Sequence, residues 1–474
     1  MISSAAPEAA TRLLQFVNAS PTPLHAVAAA ALRLEKAGFR KLWEKDDWEK
    51  DIKDGGKFYV TRNQSCILAF TVPQKWKAGG GVSIVATHVD SPNLRVRPIS
   101  KKTKATYLQV GVETYGGGLW HTWFDRDLSL AGRIIVKNKN GGFSSRLIKI
   151  DRPLLRVPSL AIHLERGSSD NFTFNQETEL LPILGMAEEQ FNAATEKAEK
   201  KSTVEIKATD VREHHHTALL EVLSQELSVV PEDIHDFELH LYDTQPSQFG
   251  GIKNEFIFSP RMDNQFSSFC ALDALAAFST SPAYPSYASS ASQNVNAIAL
   301  FNHEEVGSVS TTGAESSLLP SLLSRLSPTP GALAQTIARS FLVSADMTHA
   351  VHPNYLGKHE ENHAPKVNGG VVLKTNAKQR YATDTVGRFL LKKLAERRGG
   401  KVQEYEVRND MACGSTVGPA LSKMGVRTVD IGCPMLSMHS IRETAGTHDV
   451  QSYIDLFTAF FEGFADLDAE FVVD

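Results

Sequence analysis

Several apolar runs in this 474-residue chain end on residues that can bind a metal or move a proton. Val82–Thr87 runs into His88-Val89-Asp90, Val295–Phe301 into Asn302-His303-Glu304-Glu305, and Phe341–Ala345 into Asp346. Asp263 closes Glu255–Met262 just before a helical pattern, and His439 follows the apolar stretch Ile431–Met438. Taken singly, a histidine or carboxylate at a strand end is ordinarily a turn or cap residue. Gathered in one pocket without a cation, these carboxylates would be costly to bury. A metal cluster removes that cost, because histidine nitrogen and carboxylate oxygen are the usual ligands of divalent ions.

The set divides naturally between two ions. Asp263 would bridge both, His88 and Asp346 would complete one site, and Glu305 and His439 the other, with the ions roughly 3.5–4 Å apart as in two-metal hydrolases. Asp90 would accept the other ring N–H of His88 and fix its tautomer. Glu304 is poorly placed to share the ion of Glu305, because neighbouring side chains on an extended segment diverge. It is better suited to act as general base, taking a proton from water that the metals acidify and passing it to a leaving amine. Zinc fits this mixed donor set, and manganese or cobalt could exchange into one site.

The elements that must hold these residues follow from the hydrophobic pattern. Cys66–Val72, Val82–Val89, Val295–Phe301 and Phe341–Ala345 are short, apolar and bounded by turn residues, which predicts buried strands; Val402–Val407 and Arg427–Ile431 complete the set. Helical spacing falls at Pro7–Val17, Leu24–Leu42, Gln265–Phe278, Thr383–Arg398, Thr416–Lys423 and Val450–Ala465. Strands alternating with helices predict an α/β layer, a mixed sheet flanked by helices, with ligands at the carboxyl ends of its strands. Between residues 93 and 245 the texture becomes β-rich: Tyr107–Glu113, Arg133–Val136, Arg146–Ile150, Leu160–Leu164 and Phe237–Tyr242 read as strands, with one helical pattern at Ala218–Val230. The expected organisation is a catalytic domain, 1–92 plus 246–474, interrupted by a second domain at 93–245. The polar stretch Ala187–Glu213 reads as a solvated loop with a frayed helix, His214-His215-His216 as solvated, and Ser281–Ser292 as a surface loop.

Bulk composition narrows the function classes. A net charge of -4 gives no basic face for nucleic acid. No window is apolar for long enough to span a membrane, and the opening residues do not form a signal peptide. The four cysteines, Cys66, Cys270, Cys413 and Cys433, form no C-x-x-C pair and read as reduced thiols of a cytoplasmic protein. Gly116-Gly117-Gly118 is not a phosphate loop, as no G-K-[ST] follows it.

Five segments together resemble the aspartyl aminopeptidase family of metallopeptidases: His88-Val89-Asp90-Ser91-Pro92, Ser259-Pro260-Arg261-Met262-Asp263-Asn264, Asn302-His303-Glu304-Glu305-Val306-Gly307-Ser308, Ser344-Ala345-Asp346-Met347-Thr348-His349 and Met438-His439-Ser440. The resemblance runs in order over nearly the whole chain. It implies His88, Asp263, Glu305, Asp346 and His439 as metal ligands and Glu304 as catalytic base. It also implies that the inserted domain is a dimerisation domain, and that subunits assemble into a tetrahedral dodecamer. His163, in Leu160-Ala161-Ile162-His163-Leu164, is similar to a histidine lent to a neighbouring subunit to stabilise an oxyanion.

The resemblance further implies peptide substrates with N-terminal Asp or Glu. Lys374, ending Gly370-Val371-Val372-Leu373-Lys374, is similar to the family's specificity lysine, with Tyr381 as a hydroxyl partner. A lysine about 4 Å from a substrate carboxylate attracts it by up to ~4 kcal/mol at an effective dielectric of about 20. His349, with His352, His359 and His363, lies in a loop near Asp346 that either lines the entrance or serves structure and assembly. Met262 and Met411-Ala412 depart locally from the family pattern and bear on the pocket walls rather than on ligation. Three alternatives stay open: an aminopeptidase of neutral, Leu-type specificity, a two-metal deacylase or amidase on a similar fold, and an oligomeric scaffold whose hydrolase site is vestigial.

Overall fold

A computed structural model of the chain describes residues 7–169, 171–187 and 210–471. The chain divides into two compact units, Met1–Ser91 with Ser247–Asp474, and Pro92–Pro246.

The first unit is built on a nine-stranded mixed sheet in the order Arg40–Lys41, Gly56–Arg62, Cys66–Val72, Val295–Phe301, Val82–His88, Phe341–Ala345, Arg427–Gly432, Val371–Thr375, Val402–Glu406. Its centre is parallel: Val82–His88 lies between Val295–Phe301 and Phe341–Ala345, which in turn pairs with Arg427–Gly432. Every residue of Cys66–Val72, Val82–His88, Val295–Phe301 and Phe341–Ala345 is buried. Helices cover both faces, so these strands read as unbroken apolar runs rather than alternating ones. Successive residues still point to opposite faces. Val85, Ile298 and Leu300 join the core formed with helices Glu8–Ala19, Met262–Phe278 and Thr447–Ala469. Ile84, Ala86, Ala297 and Ala299 join the opposite core, with Leu319 and Leu322 of Leu318–Leu326 and Val417 and Leu421 of Val417–Ser422.

A second sheet in this unit was not foreseen from the sequence. It has five short strands in the order Gln248–Gly250, Phe256–Ser259, Glu443–Gly446, Pro434–Leu436, Thr348–His349. These strands are two to four residues long, too short for a periodic signal. They nevertheless collect the segments that flank Asp263, Asp346 and His439.

The second unit contains a six-stranded antiparallel sheet, ordered Phe143–Lys149, Leu128–Lys137, Ile234–Asp243, Asn93–Lys104, Tyr107–Tyr115, Ile183–Met186. Helix Thr217–Leu227 occupies the region of the predicted helical pattern.

Several expectations are corrected. Leu160–Leu164 is not a strand: it leads into an exposed turn, with Leu160, Ile162 and Leu164 more than half exposed. Its alternation imitates a strand but has no partner strand to pair with among the described residues. His215 and His216 are buried, not solvated. His215 Nδ1 lies 2.8 Å from Ser100 Oγ, and His216 Nε2 lies 2.9 Å from the Lys102 carbonyl oxygen, so protein atoms take the place of water. Ser281–Ser292 contains helix Tyr284–Ser289, anchored by buried Tyr287, whose hydroxyl donates to the Thr71 carbonyl at 2.9 Å. The helix expected over Leu24–Leu42 ends at Lys36, where Gly38 takes a left-handed conformation (φ 87°) and Arg40–Lys41 begins the sheet. Most of the polar stretch, 188–209, lies outside the described residues.

Candidate metal centre

The central parallel strands deliver their carboxyl ends to one place. His88 ends Val82–His88, and its partner in the ladder, Phe301, ends the strand that leads to Glu304 and Glu305. Asp346 directly follows Phe341–Ala345. Asp263 enters from the start of helix Met262–Phe278, and His439 from the loop between Pro434–Leu436 and Glu443–Gly446.

His88 Nε2 lies 3.3 Å from Asp263 Oδ1, 3.5 Å from Asp346 Oδ1 and 3.8 Å from Glu304 Oε2. His439 Nε2 lies 3.3 Å from Asp263 Oδ2 and 3.3 Å from Glu305 Oε2. Asp263 therefore faces one histidine with each carboxylate oxygen. Ligand atoms of His88, Asp263 and Glu305 all lie within 4.8 Å of one another.

The surroundings fix this arrangement. His88 Nδ1 is 3.0 Å from the carbonyl oxygen of Asp90 and 3.4 Å from its carboxylate, so the main chain is its nearer partner. The Asp90 carboxylate has a further task that the sequence did not suggest. Oδ1 accepts the main-chain N–H of Glu304 and Oδ2 that of Glu305, each at 3.1 Å, which caps the short helix Glu304–Val306. Left-handed backbone at His303 (φ 62°) and His439 (φ 66°) re-aims the chain beside the cluster. Such conformations cost a non-glycine residue on the order of 1–3 kcal/mol and recur at functional sites.

The charge balance of the cluster points to cations. Burial alone would push His88 down, but Asp263, Asp346 and Asp90 outweigh it and hold the imidazole well above its ordinary value. Burial would likewise raise Asp263, yet His439 and His88 hold it below the usual carboxylate range. Burial, with Asp346, Asp90 and Asp263 nearby, pushes Glu304 up to about 8. Burial and Asp263 push Glu305 well above its ordinary value. Asp263 Oδ1 and Glu305 Oε1 are buried and accept no hydrogen bond. Among the described residues, neither carboxylate forms an ion pair with arginine or lysine. Buried oxygens that lack donors, set among imidazole nitrogens, are the donor set of a divalent cation. The residues fit a zinc-type centre.

The cluster opens into a cavity of about 610 Å³, lined also by Lys374, Tyr381 and His349. Lys374 is 2% exposed. Its Nζ donates to the Met347 carbonyl at 2.8 Å and lies 5.2 Å from the centre of the Tyr381 ring. Gly432 allows this approach, since a Cβ there would collide with the Asp346 carbonyl and stand 3.0 Å from Lys374 Cε. His349 is exposed at the cavity, whereas His352, His359 and His363 are not among its lining residues. The main-chain N–H of His352 donates to His359 Nε2 at 3.0 Å, and His363 pairs with Glu360. His163 is not part of the cluster; it lies on the exposed turn of the second unit. The four cysteines are unpaired, Cys413 half-buried and the other three buried.

One residue of the site escaped sequence reasoning. Glu443, 2% exposed, accepts main-chain N–H groups from Met262 and His439, each at 2.7 Å. Burial and the Asp263 charge push it up to about 8. The only sequence signal was an acidic residue four positions after His439, which is indistinguishable from an ordinary strand-edge charge.

A buried cluster of histidines and carboxylates at the carboxyl edge of an α/β sheet defines a metallohydrolase-type site. The chain belongs to the M18 family of aminopeptidase I zinc metalloproteases, whose model matches residues 16–461. It is 47% identical over 494 residues to the aspartyl aminopeptidase of Aspergillus oryzae (strain ATCC 42149 / RIB 40), covering 97% of each chain. Among solved structures, it is similar to the cryo-EM structure of the Ape4 and Nbr1 complex, at TM-score 0.91 and 46% identity over 98% of this chain and 87% of that one. It is also similar to the S. cerevisiae mApe1 dodecamer, at TM-score 0.84 and 31% identity over 98% of each. No helix among the described residues is long and apolar enough to cross a membrane.

Proposed function

We propose that this chain is an aspartyl aminopeptidase, which releases N-terminal Asp or Glu from peptides. The observation that carries the reading is one cavity lined by Asp263, Glu305, Asp346 and His439, with His88 directly behind Asp263 and Asp346, and by the buried Lys374. Two divalent ions held by the cluster, most simply zinc, would supply Lewis acidity and a water acidic enough to attack near neutral pH. Asp263 would be shared between the ions, His88 and Asp346 would serve one, and Glu305 and His439 the other. Glu304, which borders the cavity without being a ligand, accepts the proton of the attacking water and returns it to the leaving amine. Asp90 orients His88 and both glutamates.

Lys374 pairs with the acidic side chain of the substrate's first residue, with Tyr381 and His349 beside it. A neutral side chain would offer that buried ammonium no carboxylate beyond its bond to the Met347 carbonyl, and the lost charge pair is the penalty that favours acidic substrates. The names of the relatives support an acidic preference, and the mApe1 dodecamer supports assembly of the same kind here. In that assembly the β-rich unit is the dimerisation domain, and His163, on an exposed apolar turn, is offered to a neighbouring subunit's site to stabilise the oxyanion.

The test is hydrolysis of aminoacyl substrates bearing Asp, Glu, Leu, Ala or Lys, with and without a chelator. Chelator-sensitive release of Asp and Glu, restored by zinc, manganese or cobalt, is the expected result. A preference for Leu would overturn the acidic pocket and leave the metal centre standing. No turnover with any metal would overturn the enzyme reading.

A further inference from the structure

We infer that Glu443 is a positioning residue that locks two of the candidate metal ligands, Asp263 and His439, to each other. This rests on the two-metal reading above. Glu443 begins the short strand Glu443–Gly446 and lies opposite Ser259 in the five-stranded sheet. Its Oε1 accepts the main-chain N–H of His439 at 2.7 Å. Its Oε2 accepts those of Met262 at 2.7 Å and Asp263 at 3.2 Å. One carboxylate thus joins the segment at Met262 and Asp263 to the loop at His439, with Glu443 itself 180 residues from Asp263 in the chain.

Both loops need such an acceptor. Met262 and Asp263 stand ahead of the regular turns of Met262–Phe278: the backbone is non-helical at Asp263 (φ -84°, ψ 105°) and Asn264 (φ -126°, ψ 29°), and Arg261 gives no side-chain cap bond. Main-chain N–H groups in such irregular backbone have no helical partner, and buried ones need another acceptor. His439 sits in left-handed backbone (φ 66°) in a loop. Glu443 therefore does for Asp263 and His439 what Asp90 does for Glu304 and Glu305. Three donors converge on its two oxygens, so an amide cannot substitute: the NH2 group of glutamine would face an N–H at one end. A plain helix cap would serve Asp263 alone. The bond to His439 makes Glu443 specific to the centre.

The experiment compares E443Q with the parent protein in metal titration, cobalt-substituted absorption spectra and steady-state kinetics. E443Q is expected to bind one of the two ions roughly tenfold or more weakly and to show altered cobalt d–d bands. Its kcat should fall roughly tenfold or more, with KM for N-terminal Asp substrates little changed because Lys374 is untouched. Added metal should restore part of kcat. An assembled E443Q with parental metal affinity, spectrum and kcat would overturn the role of Glu443. A parent protein that binds no metal and turns nothing over would overturn the metallopeptidase reading instead. Should E443Q fail to assemble, hydrogen exchange on the parent decides. The amides of Met262 and His439 are expected to exchange roughly tenfold or more slowly than exposed loop amides, and exchange at loop rates overturns the proposal.

Discussion

Asp90 and Glu304 are 214 residues apart in sequence, and the Asp90 carboxylate accepts the Glu304 main-chain N–H at 3.1 Å. The other oxygen of the same carboxylate holds Glu305. One carboxylate thus fixes the backbone of both glutamates, and both side chains line the cavity. In D90N the amide presents one oxygen and one NH2, so one of the two N–H groups loses its acceptor. Turnover is expected to fall roughly 10–100-fold, with weaker retention of metal after dialysis against chelator. Parental kcat and metal content in D90N would show that the pair needs no such anchor.

Glu304 is expected to carry the proton and not the metal. E304Q should lose roughly 10²–10⁴ in kcat while metal analysis of the purified variant matches the parent. Loss of an ion together with activity would instead make Glu304 a ligand.

Lys374 is expected to set the acidic preference. In K374M, kcat/KM for Asp substrates should fall by up to ~10³, the equivalent of roughly 4 kcal/mol for a charge pair at about 4 Å. Values for Leu and Ala substrates should hold or rise. An equal fall for all substrates would place Lys374 in the chemistry or in folding rather than in recognition.

His163 and Glu304 can be tested together. If His163 acts in a neighbouring subunit's site, H163A and E304Q homo-oligomers are both poorly active. Mixed oligomers of the two will contain some sites with Glu304 from one subunit and His163 from another. Co-expression is expected to raise activity above either variant alone. No gain in verified mixed oligomers would confine His163 to its own subunit.

Stability of the second unit should depend on pH through His215. Burial lowers His215 from 6.5 to about 4, with His214 adding to the effect. The native state therefore refuses a proton that the unfolded chain accepts. Stability is intact above about pH 6.5 and declines as pH falls from there toward 4, by roughly 2–3 kcal/mol across the window. H215Q, which can still bond Ser100, should flatten that slope in denaturant unfolding measured at pH 7.5 and 5. An unchanged slope would remove His215 from the acid response.

The sequence alone determined the central strands and the chemistry at their ends. Val82–His88, Val295–Phe301 and Phe341–Ala345 are covered on both faces, so they had to be apolar throughout, and polarity could return only where they end. That contrast made His88, Glu304, Glu305 and Asp346 conspicuous. Lys374 was singled out through the family resemblance, and its burial in Val371–Thr375 came only from the fold. Tertiary structure alone decided which of these meet and what holds them. The five-stranded sheet is made of strands too short to carry a period, and it brings Asp263, Asp346 and His439 together through pairings such as Ser259 with Glu443. Glu443 and the carboxylate of Asp90 act on main-chain N–H groups, and an acceptor for a distant main-chain donor leaves no mark in residue spacing. The same limit explains His215 and His216, whose partners Ser100 and the Lys102 carbonyl come from a remote strand. It explains Leu160–Leu164 as well, where alternation was present but, among the described residues, a strand to pair with was not. Local pattern reports burial along one segment, whereas the site depends on hydrogen bonds between segments, and only the fold specifies those.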